Sequence, residues 1–77
     1  MDKKDFNRLS HMLDAAKTVR QHLANKNLVD LEKDRLLLGA VIRELLVIGE
    51  AANAVSPEAK ASISDIPWKL VIGMRTN

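Results

Sequence analysis

An arginine sits on an apolar stripe near the end of the chain. In "IPWKLVIGMRTN", Trp68, Val71, Ile72 and Arg75 fall at i, i+3, i+4 and i+7, so Arg75 shares a helix face with the tryptophan. A guanidinium in that setting snorkels to water, pairs with a carboxylate, or holds an anion through two donors at once. Residue type alone favours snorkelling or an ordinary ion pair. A second polar set is Arg43, Glu50 and Asn53, which project within one narrow sector of another helix. They form either a solvated strip with a weak Arg43–Glu50 pairing or the lining of a cleft. His11 and His22 lie on the polar side of the first helix and read as solvated surface groups. With no cysteine and no carboxylate cluster near either histidine, neither a metal site nor a cofactor is expected. The three glycines are far apart and inside helical patterns, so no phosphate-cradling loop is expected.

The elements that must position these groups are all helical. Phe6, Leu9, Met12, Leu13, Ala16, Val19 and Leu23 recur at spacings of three and four, which predicts an amphipathic helix over about Lys3 to Asn25. Asp2 is its candidate cap, Asp5 suits the positive end of the helix dipole, and "NKN" at 25–27 supplies the stop. After "LVDLEKD", with Asp30 or Asp34 as caps, a second long helix runs to about Val55. Leu37, Leu38, Val41, Ile42, Leu45, Ile48, Gly49, Ala52 and Val55 make its wide stripe, and Leu46, Val47, Ala51 and Ala54 lie outside it. A helix apolar nearly all round packs on more than one side. Ser56, Pro57 and Glu58 open a short connecting helix. The last helix begins near Ile66, with Asp65 as cap and Pro67 in the first turn, and is expected still to run at Asn77. Its final carbonyls have no glycine cap, so further chain is expected after Asn77.

Seventy-seven residues hold one domain at most, here 1–77, and a single core of that size is marginal. Without disulfides or a metal, self-association is the available extra source of burial. A net charge of +2, from 12 basic and 10 acidic side chains, with no basic cluster in the sequence, argues against a generic nucleic-acid binder. There is no signal peptide and no bilayer-length apolar run, so a cytoplasmic location without membrane contact is expected. No strand-like alternation occurs, and the fold class is all-α.

The run "KDRLLLGAVIRELLVIGEAANAVSPEAKASISDIPWKLVIGMRTN" closely resembles the HepT-like branch of the HEPN superfamily, the toxin half of HEPN/MNT toxin–antitoxin systems. "AVIRELLVIGEAAN" looks like that family's second long helix, "SPE" its connecting helix, and "IPWKLVIGMR" the entry to its catalytic helix. The resemblance implies an up-and-down antiparallel helical bundle with two long helices, a short connector and the start of the catalytic helix. It implies a homodimer whose paired motifs meet at a cleft. It also implies metal-independent RNA cleavage by an arginine followed, four to six residues on, by a histidine and then often a tyrosine. Arg75 matches the arginine; the family more often has asparagine where this chain has Thr76, and the histidine and tyrosine are not in the sequence. The chain is therefore expected to be an incomplete domain, inactive alone. In that setting Arg75 belongs in a dry cleft, with Glu50, Asn53 and Arg43 as supporting polar residues. An MNT-type nucleotidyltransferase antitoxin is the implied partner, and RNA the substrate of the complete protein. The competing reading is a non-catalytic helical module for dimerisation or partner binding.

Overall fold

The computed structural model describes residues 1–76. Five α-helices follow one another: α1 (Lys3–Leu23), α2 (Leu28–Lys33), α3 (Arg35–Ala54), α4 (Pro57–Ser62) and α5 (Trp68–Gly73). A 3₁₀ turn over Met74–Thr76 extends α5. No strand occurs among the described residues, and the all-α expectation holds.

Local chemistry explains most of the boundaries. Asp2 caps α1 by accepting from the Lys4 amide at 3.1 Å. The helix ends two residues earlier than the sequence suggests, and Asn25 takes the left-handed conformation, with φ 61°. Helix α2 is an addition. Asn27 and Asp30 cap each other's backbone, with both hydrogen bonds at 2.9 Å, closing a capping box around six residues. Asp34, not Asp30, therefore caps α3, accepting from the Leu37 amide at 3.0 Å. Ser56 caps α4 with Pro57 at its first position, as expected.

The last helix departs from expectation. It begins at Trp68, its cap position is Pro67, and no side chain caps it, so Asp65 does not serve. Ile66 precedes a proline and is thereby biased away from helix. The Trp68 indole N–H fixes the start by donating to the carbonyls of Lys60 and Ile63, at 3.1 and 3.0 Å. Whether the helix continues at Asn77 lies outside the described residues.

Helix α1 runs antiparallel to α3, since the start of α1 meets Ser56 just past the end of α3. Helix α5 turns back along α3, giving an up-and-down arrangement with α3 in the centre. The core is thin: Ala15, Val41, Ala51, Ala52, Val55 and Ala59 are its buried apolar residues. The expected stripe of α1 is only partly used, because Phe6 is 63% exposed and Leu13 also faces out. The side facing α3 carries Asp5, Leu9, Met12, Ala15 and Val19 instead. The radius of gyration, 13.7 Å, exceeds the roughly 11.5 Å of a compact chain of this length. On α3, Leu36, Leu38 and Ile42 are exposed.

Candidate functional site

Two places on α3 carry the groups singled out by the sequence. The first is Gly49. Helix α5 and its 3₁₀ extension come so close there that a β-carbon on Gly49 would lie 2.7 Å from the Arg75 amide nitrogen. It would also lie 3.0 Å from the Arg75 Cβ and 3.2 Å from the Val71 carbonyl oxygen. Only a glycine admits that approach. The segment "IGEAAN" thus seats the Arg75 backbone directly against α3. The Arg75 side chain is exposed in the single chain, although Trp68 on the same helix is half-buried. The tightening to a 3₁₀ turn at Met74 breaks the α-helical register that would put the two on one face. The described residues form no dry cleft around the guanidinium. Asn53, one turn beyond Gly49, is exposed as well.

The second place is a groove of about 510 Å³ between α1 and α3. Arg8 and His11 reach it from α1, and Arg43 and Glu50 from α3. Its floor is apolar: Leu46, Val47, Ala51 and Ala54. Arg43 and Glu50 line the same groove, two helical turns apart on α3. Asn53 and Arg75 are not part of this groove. Arg8 and His11 were invisible to sequence reasoning, because nothing local connects them to Arg43, 35 and 32 residues further on.

A polar link holds the end where α1, α3 and α4 meet. Asp5, 6% exposed, accepts from the Ser56 amide at 2.8 Å and from the Ser56 hydroxyl at 2.6 Å. The same hydroxyl accepts from the Ala59 amide at 3.2 Å. The hydroxyl and then the amide of Ser56 hold the Asp5 carboxyl below its ordinary pKa. Asp5 therefore does more than complement a helix dipole. It ties the start of α1 to the turn that aims α4 and, through Trp68, α5. Among the described residues no group of three or more metal-ligating side chains occurs. No helix there is long and apolar enough to cross a membrane.

Residues 12–76 match the sequence model of the family described as Ribonuclease HepT-like. The chain is 33% identical over 67 residues to "Putative RNase TTE0752" of Caldanaerobacter subterraneus subsp. tengcongensis, covering 87% of this chain and 60% of that one. It is 28% identical over 76 residues to "Putative RNase MJ1380" of Methanocaldococcus jannaschii, covering 97% of this chain and 70% of the relative. A third relative, "Gamma-glutamylcyclotransferase and putative RNase MJ0434" of the same organism, is 31% identical over 67 residues, which are 87% of this chain and 30% of that protein. The chain thus spans 60% and 30% of the length of two of these curated relatives. No solved structure gives a significant match.

Proposed function

The chain belongs to the Ribonuclease HepT-like family, and from that premise we propose that the complete protein is an endoribonuclease that cleaves RNA without a metal ion, the toxin of a HEPN/MNT toxin–antitoxin system. The observation that carries the reading is the family match reaching through "GMR" at 73–75, together with the backbone of Arg75 pressed on Gly49 of α3.

The chemistry divides between two side chains. The guanidinium stays charged and grips a phosphate through two donors as negative charge builds on its oxygens. A histidine a turn or two further on takes the proton from the ribose 2′-hydroxyl, whose oxygen then attacks phosphorus. The 5′-oxygen leaves and accepts a proton. This chain holds the arginine, Arg75, and ends before any such histidine. Close packing at Gly49 fixes where the arginine's backbone stands. A second copy of the chain is the facing surface that would dry the cleft. The need for such a surface is supported by the thin core and by exposed large side chains such as Leu36, Ile42 and Leu70. An MNT-type nucleotidyltransferase is the proposed antitoxin.

The test is RNA degradation by the complete protein, wild type against Arg75→Ala, with and without EDTA. The reading expects cleavage that survives EDTA and falls by a factor of about 100 or more in the variant. A complete protein that leaves RNA intact, with growth unaffected by its expression, would return the chain to the class of non-catalytic dimerisation modules.

A further inference from the structure

We propose that the groove between α1 and α3 binds a segment of single-stranded RNA, with Arg8 and Arg43 on its phosphates and a base against Leu46 and Val47. The proposal rests on the ribonuclease reading and adds to it a contact away from Arg75.

Three observations carry it. The groove's volume, about 510 Å³, lies in the range of sites that take a nucleotide-sized group. Its composition matches both halves of such a group. Two arginines on opposite helices offer forked donors suited to phosphate oxygens, with His11 beside them. The floor is apolar and partly open: Leu46 and Val47 are each 38% exposed. A base laid on that aliphatic floor removes apolar surface from water. Glu50 is a poor neighbour for phosphate but a good acceptor for a base amine or ring N–H.

Position supplies the third argument. Glu50 follows Gly49, the residue on which Arg75 rests. The groove and Arg75 therefore stand at the same height on neighbouring sides of α3, so a strand crossing the helix reaches both. A second charged hollow lies at the opposite end of α3. Lys26, Lys33 and Arg35 line it with Asp30 and Asp34, whose carboxylates already cap helices. That hollow serves as the internal control.

The experiment is filter binding of a radiolabelled, cleavage-resistant 2′-O-methyl RNA dodecamer to the complete protein across a salt series. Cleavage of ordinary RNA is scored in parallel. Arg8→Ala/Arg43→Ala is expected to weaken binding about tenfold or more at low salt. It should also lower the salt slope by about 1.4, at about 0.7 per lost phosphate contact. Lys26→Ala/Lys33→Ala, which removes the same charge elsewhere, is expected to change affinity by less than about threefold. Glu50→Gln is expected to tighten binding. Arg8→Lys/Arg43→Lys should keep the salt slope while losing part of the affinity. All five substituted positions are exposed, and circular dichroism of each variant is the check that it is folded.

Wild-type affinity in Arg8→Ala/Arg43→Ala, or an equal loss in the lysine pair, overturns the proposal. Absence of RNA binding by the wild type does so too. Disrupted self-association in the arginine pair with unchanged RNA affinity would instead make a second copy the occupant. Cleavage that persists in these cases leaves the ribonuclease reading standing. Groove-dependent binding without any cleavage leaves the groove and removes the nuclease.

Discussion

The two sides of α3 differ in what they meet. Towards α5 the helix presents Gly49 and Ala52, both buried, and another stretch of backbone comes within van der Waals distance of Gly49. Towards solvent it presents Arg43, Leu46, Val47 and Glu50, with Leu36, 88% exposed, further along. Small residues occur where α5 meets α3, and larger, partly exposed apolar ones line the groove beside α1. Closeness on the first side is bought with lost side-chain area, which is why the core is thin. Exposure on the second side leaves large apolar side chains in contact with water.

The comparison breaks most readily at Gly49. Gly49→Val puts two methyl groups where the Arg75 amide and the Val71 carbonyl already stand. Neither backbone atom can step aside, so α5 must lift. We expect a loss of about 3 kcal/mol, read as a lower midpoint in thermal or urea unfolding. Arg75-dependent activity of the complete protein should vanish with it. Gly49→Ala gains up to about 1 kcal/mol in helix propensity and still clashes, so it should fall between the two.

Asp5→Ala comes next. It strips the partner from both the amide and the hydroxyl of Ser56, and it should lower the melting temperature by more than Asp2→Ala, which removes one exposed cap. The pH dependence has a definite sign. The folded-state pKa of Asp5 lies below its unfolded value. Its contribution is therefore fully present above the unfolded value of about 3.9, and is lost as pH falls through the folded one. Acid titration of the melting temperature should show a steeper decline in wild type than in Asp5→Asn.

Asp34→Ala removes the α3 cap and should cost about 1 kcal/mol without touching either side of the helix. The smallest effect on folding is expected on the solvent side. Leu36→Ser should stay within about 0.5 kcal/mol for the single chain. If that side is where a second copy docks, the same variant will shift the protein from dimer to monomer in sedimentation. A stable fold and an unchanged dimer would place the partner surface elsewhere.

Much of this arrangement was legible in local patterns. The cap at Asp2, the Ser56-Pro57 opening and the stop at Asn25 are short-range chemistry legible in the sequence, whereas the start of α3 was left between Asp30 and Asp34. Helix α2 escaped because six residues carry no readable period, although the Asn27–Asp30 capping box was there to be seen. Phe6 and Leu13 fit a helical repeat yet face water, because α1 turns its Asp5–Ala15 side towards α3. Seven-residue spacing sufficed to put Arg43 and Glu50 on one groove. What no local pattern can provide is contact between distant segments. Asp5 and Ser56 are 51 positions apart, and Arg8 comes to line the same groove as Arg43 only once the two long helices lie antiparallel. A glycine inside a helix permits close approach, but nothing local names Arg75 as what rests on Gly49.

The tryptophan at the start of α5 has a practical consequence. It is the sole indole in the chain, and its N–H is held between two carbonyls at the end of the connecting helix. Any event that lifts α5 releases that hydrogen bond and exposes the ring to water, so the emission maximum should move to longer wavelength. The molecule thus contains its own fluorophore beside the segment that bears Arg75, and detachment of that segment can be timed by stopped-flow without attaching a label.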